Sequence, residues 1–188
     1  MYRRYLKRVC DILIAGASVV VLSPVLLVTA LSIRLEDGGP VLFRQRRVGR
    51  NGVPFSVIKF RSMLVNTGDI PSAEAGSAEI TKVGEFIRRT NIDELPQLFN
   101  VVKGEMSIVG PRPPLPAQRH LCELRAQNGS LACKPGLTGL AQINSYDGMP
   151  EREKAEWDGR YASSVCFLAD VGIVVRTFGY LLRRPPVY

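Results

Sequence analysis

The longest apolar run extends from Ile12 to Ile33, between Asp11 and Arg34, without a charged side chain. As an α-helix its 22 residues reach about 33 Å, close to the roughly 30 Å of bilayer hydrocarbon. A soluble core helix is rarely so long and so apolar, so the pattern predicts membrane insertion. Ser23-Pro24 interrupts the run near its middle. Proline removes a backbone donor and crowds the preceding turn, which predicts a bend there. The Ser23 hydroxyl is placed to serve the carbonyl that proline leaves without a donor. Both flanks are basic: Arg3, Arg4, Lys7 and Arg8 precede the run, and Arg34, Arg44, Arg46, Arg47 and Arg50 follow it. Positive charge marks the cytoplasmic side of a membrane, and here it marks both ends. The expectation is a re-entrant helix-break-helix over residues 1–35, deepest at Ser23 and Pro24, followed by a catalytic domain over 36–188. The alternatives are a kinked single span and a cleaved signal peptide. Against the latter, the run exceeds a usual signal core and Val28-Thr29-Ala30 is a poor cleavage site.

Beyond this segment the pattern predicts a small α+β domain, mostly helical. Pro40 to Phe60 reads as a β-hairpin, with Asn51-Gly52 as its tight turn. Asn66 to Ala78 reads as a surface loop. Thr81 to Arg89 is a short helix with Val83, Phe86 and Ile87 on its apolar face. A second begins near Asp93 and carries Leu95, Leu98, Phe99 and Val102. Gly110 to Pro116, GPRPPLP, is too proline-rich for helix or central strand and predicts a rigid loop. Pro116 to Gln127 reads as helix, Lys134 to Gln142 as a glycine-punctuated turn region, and Glu151 to Ala162 as a charged helix. Phe167 to Leu182 is mostly apolar but interrupted by Asp170 and Arg176. An amphipathic helix lying at a membrane interface suits it, and a core helix suits it equally.

Composition narrows the chemistry. The chain carries 25 Lys and Arg against 17 Asp and Glu, a net charge of +8, which suits polyanionic partners without choosing among them. Cys10, Cys122, Cys133 and Cys166 form no CxxC pair, which argues against zinc and for reduced, structural thiols. His120 is the one histidine and reads as a surface residue. Acid-base and nucleophilic work therefore falls to carboxylates.

Asp93-Glu94 is the carboxylate pair singled out. One reading is a helix cap, since Thr90 or Asn91 followed three residues later by an acid resembles a capping box. The other is a metal and phosphate site, because carboxylates hold magnesium and nearby arginines such as Arg88 and Arg89 clamp phosphate oxygens. Arg112, inside the stiff GPRPP loop, suits phosphate recognition. Lys59 points either to that site or to lipid headgroups.

The stretches PVLFRQRRVGRNGVPFSVIKFRSM, TKVGEFIRRTNIDELPQLFNVVKGEMSIVGPRP and KPGLTGLAQI resemble the bacterial sugar transferases, the monotopic polyprenyl-phosphate phosphoglycosyl transferases, in their small, minimal catalytic form. Glu156-Trp157-Asp158 and Tyr161 are similar to the family's later acidic-aromatic segment, and the likeness covers nearly the whole chain. The resemblance implies that Asp93 is the nucleophile toward the sugar-bearing phosphate of a UDP-sugar, forming a covalent phosphosugar-aspartate and releasing UMP. Undecaprenyl phosphate then takes the phosphosugar as a diphosphate-linked lipid. It implies Mg2+ as cofactor, with Asp93 and Glu94 as its acidic dyad, and Arg112 as a phosphate ligand. Lys59, Arg88 and Asp158 match substrate-site positions. It implies the cytoplasmic face of the bacterial inner membrane, with lipid as partner and downstream glycosyltransferases as consumers of the product. The chain departs from the usual pattern at Cys166, where relatives often carry an aromatic residue, and at Arg160, where a second tyrosine is common. Neither the sugar nor the oligomeric state is legible. Rival classes are a basic membrane-anchored binding module and a metal-dependent phosphohydrolase. No helix-turn-helix, zinc-finger or RNA-binding aromatic motif points to nucleic acid.

Overall fold

The computed structural model describes residues 2–64, 80–146 and 148–181. The loop expected over 66–78 lies outside these, as do Leu182 and the Arg183-Arg184 end of the last helix. Among the described residues the chain is mostly helical, with two small two-stranded sheets.

The apolar run forms two helices, α1 (Lys7–Val21) and α2 (Ser23–Asp37), bent by 60° at Leu22. Pro24 falls in the first turn of α2, where a missing N–H costs little. The Ser23 hydroxyl donates to the Val20 carbonyl at 2.8 Å, the acceptor that proline at position 24 leaves unserved. Gly38, at φ 71°, ends α2 in the left-handed conformation that glycine adopts without strain. The second helix thus runs two residues past the expected boundary at 35. Neither helix alone is long and apolar enough to cross a membrane; the bent pair together is.

One face of the pair packs onto the domain. Ala15 joins Val57, Leu98, Val101 and Met106 in one core cluster, and Ile33 joins Phe60 and Ile87 in another. Asp11 is buried and accepts from the Ser107 hydroxyl and the Ile108 amide, both at 3.0 Å. The other face stays open: Leu13, Val20, Val21, Leu27 and Val28 are each more than 60% exposed. An apolar stripe of that extent marks a surface meant to be covered.

The hairpin forms as expected. Strands β1 (Leu42–Val48) and β2 (Pro54–Phe60) pair antiparallel, with Phe43 opposite Lys59 and Val48 opposite Pro54. Asn51 and Gly52 both take positive φ, 55° and 80°, and the Val53 amide bonds the Arg50 carbonyl at 3.2 Å. That is the left-handed turn which matches strand twist.

Helix α3 (Lys82–Arg89) is capped by Thr81, whose hydroxyl accepts from the Gly84 amide at 2.9 Å. Gly84 and Ile87 are its buried residues, with Val83 packed alongside Ile87, whereas Phe86 is exposed. The following helix does not begin at Asp93. Ile92–Glu94 is a single 3-10 turn, and α4 (Gln97–Lys103) starts after Pro96. Its buried apolar residues are Leu98 and Val101; Phe99 and Val102 face outward.

The glycine-rich stretch over 134–142 contains more than turns. Strand β3 (Ser107–Val109) pairs in parallel with β4 (Gly136–Thr138), followed by the short helix α6 (Leu140–Ile143) after α5 (Arg119–Gln127). A Cβ on Gly136 would collide with the Gly110 backbone nitrogen, and one on Gly110 would strike the Lys134 carbonyl. These glycines permit close backbone approach. Helix α5 begins three residues after the expected Pro116.

Helices α7 (Glu151–Ser163) and α8 (Phe167–Leu181) are the last described elements. Asp170 is buried and accepts from Tyr2 (2.6 Å), Lys7 (2.7 Å) and Tyr161 (2.8 Å). The charge that interrupts α8 therefore ties it to the N-terminal segment. Ile173 is buried beside it, while Leu168, Val175 and Phe178 stand open, so α8 is an amphipathic surface helix and not a core helix.

Candidate active site

Four elements converge on the carboxylate pair. Lys59 comes from β2, Arg88 from α3, Arg112 from the proline-rich loop, and Asp93-Glu94 from the 3-10 turn between α3 and α4. Asn91 takes φ 56° just before that turn, a conformation asparagine tolerates better than most residues. No capping box forms: Asn91 caps nothing through its side chain, and the Thr90 hydroxyl donates back to the Phe86 carbonyl at 2.8 Å. The adjacent acids are left to other work.

They differ sharply. Glu94 Oε1 accepts from Lys59 Nζ at 2.7 Å and Arg112 Nη2 at 2.8 Å. Burial pushes its carboxyl up, but the charges of Arg112 and Lys59 outweigh burial and hold it well below the usual carboxylate range. Among the described residues, none donates a hydrogen bond to the Asp93 carboxylate. Burial, reinforced by the charge on Glu94, pushes Asp93 up to about 6, against the opposing pull of Lys59, Arg112 and Arg88. One carboxylate is thus fixed and ionised, and its neighbour is basic, uncommitted and bathed in positive potential. That is the condition of an oxygen nucleophile toward an anionic electrophile.

Of the residues singled out from sequence, Lys59, Arg88, Asp93, Glu94 and Arg112 come together; Asp158 does not join them. It is 1% exposed and paired with Arg125, at 2.6 and 2.9 Å. Arg125 in turn donates to the Arg112 carbonyl at 2.8 Å. Asp158 therefore braces the arginine loop through Arg125, and burial pushes its carboxyl up against the pull of Arg125. Ser23 and Pro24 shape the bend and stand apart from this site.

Two positioning residues escaped the sequence reading. Arg125 had no motif to reveal it. Asn100, fully buried in α4, accepts from the Ile58 amide at 3.0 Å and donates to the Ser56 carbonyl at 2.8 Å. It sets α4 and the turn before it against the strand that carries Lys59. An asparagine amid apolar helix positions was the available signal.

The donor set suits magnesium. That ion usually takes one or two carboxylates and completes its shell with waters and substrate phosphates. Among the described residues no group of three or more His, Cys, Asp or Glu could enclose a metal alone, and Asp93 retains both oxygens for sharing.

A carboxylate paired to two cations thus stands beside a second carboxylate in the same positive potential. The chain belongs to the bacterial sugar transferase family, whose model matches residues 2–184. The UDP-glucose:undecaprenyl-phosphate glucose-1-phosphate transferase of Caulobacter vibrioides is 39% identical over 191 residues, covering 97% of this chain and 72% of that protein. The protein of the same name in Escherichia coli (strain K12) is 42% identical over 183 residues, 93% of this chain and 39% of that one. A UDP-N-acetylgalactosamine-undecaprenyl-phosphate N-acetylgalactosaminephosphotransferase of Aeromonas hydrophila is 38% identical over 196 residues, 95% of this chain and 44% of that one. The chain thus spans less than half the length of several relatives it matches.

Proposed function

We propose that this chain is a phosphoglycosyl transferase that moves a phosphosugar from a UDP-sugar to undecaprenyl phosphate or a related polyprenyl phosphate, releasing UMP, as the first membrane step of glycoconjugate assembly. The observation that carries the reading is the Asp93 carboxylate, beside the Lys59–Glu94–Arg112 cluster and with no hydrogen-bond donor among the described residues. The names of the relatives supply the substrate classes.

An Asp93 oxygen attacks the β-phosphorus of the donor. The bond from that phosphorus to the bridging oxygen breaks, and UMP departs with the electron pair. An acceptor phosphate oxygen then attacks the same phosphorus, the Asp93–phosphorus bond breaks, and the carboxylate is regenerated. Splitting the transfer in two lets one site serve a soluble donor and a lipid acceptor in turn. Arg112 and Arg88 bind phosphate oxygens, and Lys59 holds Glu94 in place while adding positive potential. Asp93 and Glu94 would hold magnesium together with the donor phosphates, and the ion supplies charge neutralisation there.

The bent apolar pair anchors the chain as a monotopic protein at the cytoplasmic face of the bacterial inner membrane. Its open stripe lies in the bilayer, and the exposed face of α8 lies at the interface. Labelling of Tyr2→Cys, in a chain otherwise freed of cysteine, tests this: protection from a periplasmic reagent is expected, and labelling would exclude the re-entrant form.

Intact-mass measurement with donor alone tests the chemistry. A phosphosugar adduct on the wild type and none on Asp93→Asn is expected. Lipid-linked product without any trappable adduct would remove the covalent step.

A further inference from the structure

A second concentration of positive charge lies away from Asp93. A cavity of about 210 Å³ opens between the start of α1, strand β3 and the hairpin turn. Arg3, Lys7, Arg8, Arg50 and Lys134 line it, with Asp11 as the acid at its wall. None of Lys59, Arg88, Asp93, Glu94 or Arg112 contributes to it.

The charges in this cavity do not balance. Asp11 is committed to Ser107 and Ile108, and stands 4.0 Å from Lys7. Lys7 is also paired with Asp170 at 2.7 Å. Arg3 donates to the Ala162 carbonyl, Arg8 to the Val101 and Val102 carbonyls, and Arg50 to the Ala132 carbonyl. Carbonyls orient a guanidinium but do not cancel its charge, so among the described residues five cations line the cavity against Asp11, with Asp170 reaching it through Lys7. Among the described residues the Lys134 ammonium has no hydrogen bond or ion pair. Burial lowers its pKa, and the neighbouring Arg8, Arg50 and Lys7 lower it further, outweighing Asp11. Like charges gathered in a pocket in excess over its acids are stabilised by an anion.

We propose that this cavity is a second anion site that takes a phosphate group. The volume is too small to enclose a whole nucleotide and ample for a phosphate group: one water needs about 10–15 Å³ of such space, and pockets that enclose drug-sized ligands have roughly 300–1,000 Å³. The guanidinium groups offer the donors that phosphate oxygens accept, and Lys134 supplies a charge with no competing partner among the described residues. The cavity sits at the basic start of the helix leading into the apolar pair. On a membrane its occupant is a lipid headgroup phosphate, a source that rests on the monotopic reading above. Free phosphate presents the same chemistry.

The test uses the full chain in neutral detergent. Its thermal midpoint is followed during titration with inorganic phosphate, dihexanoyl phosphatidic acid, or dihexanoyl phosphatidylcholine. A saturable rise with phosphatidic acid but not phosphatidylcholine is expected, and Lys134→Gln/Arg50→Gln should weaken apparent affinity at least tenfold. A matching rise with inorganic phosphate identifies the free ion as sufficient; a rise with phosphatidic acid alone identifies the headgroup. The effect should persist in a Lys59→Ala/Arg112→Ala background. Arg50→Gln alone, whose guanidinium is exposed, serves if the double variant does not fold. Failure of every probe to raise the midpoint, equal response of wild type and variant, or loss of the effect only in the Lys59→Ala/Arg112→Ala background would overturn the site. Donor-adduct formation in the same preparations reports separately on the transferase reading, so failure of one does not mask failure of the other.

Discussion

Replacing Asp93 by asparagine should abolish adduct formation and yet make the protein more stable at neutral pH. In the folded chain burial, with Glu94 alongside, lifts the Asp93 carboxyl from about 3.8 to about 6. A raised carboxyl means the native state binds the proton more tightly than the unfolded chain does. Stability therefore falls as pH climbs between those two values, and the whole penalty is present above pH 6. Each tenfold in proton affinity is worth about 1.4 kcal/mol, which sets an upper bound near 3 kcal/mol. Partial solvent access reduces this to about 1–2 kcal/mol. For a chain of this size each kcal/mol moves the midpoint by roughly 2–4 °C. Asparagine keeps the shape and carries no charge. Thermal midpoints of both proteins in neutral detergent, from pH 8 to pH 5, measure the gap. It should be several degrees at pH 7–8 and shrink as pH falls through 6. A variant less stable than wild type at pH 8, or a gap independent of pH, would refute the electrostatic account of Asp93.

Three further outcomes follow from the same geometry. The rate of a donor-only burst of UMP should fall as pH drops far enough to protonate Asp93, because only the carboxylate attacks; quenched-flow detection reads this without interference from the acceptor phosphate, and a burst in Asp93→Asn equal to that of the wild type would contradict an Asp93 nucleophile. Arg125→Ala strands the buried Asp158 charge and releases the Arg112 carbonyl, so it should lose about 3–5 kcal/mol by denaturant titration and raise donor KM more than Asp158→Asn does. Asn100→Leu leaves the Ile58 amide and Ser56 carbonyl without partners; a loss of about 2–4 kcal/mol in chemical denaturation is expected, with slower adduct formation because Lys59 is no longer held in register with Glu94.

Elements set by local chemistry were legible in the sequence. Asn51-Gly52 specifies a left-handed turn wherever the chain goes, and the hairpin formed around it. Ser23-Pro24 breaks a helix by removing a donor, and the 60° bend stands at Leu22 beside it. The arginine loop is stiff because its prolines are. The family motifs also identified five residues that converge. Elements that depend on distant partners were not legible. Strands β3 and β4 are each short, and only their pairing makes them strands. The start of α4, the outward placement of Phe86, Phe99 and Val102, and the burial of Asp170 follow from packing that no local period records.

The same division runs through the site. Sequence alone determined which groups were available: two adjacent carboxylates, a lysine in a strand, arginines beside a helix and in a rigid loop. Only the tertiary structure decided their partners. Lys59 and Arg112 reach Glu94, while among the described residues none donates a hydrogen bond to Asp93, and Asp158 is drawn inward by Arg125. Adjacent acids have nearly equal proton affinities in an extended chain. Burial and the placement of cations separated by many residues drive those affinities apart, and such distances exist only once the chain has folded.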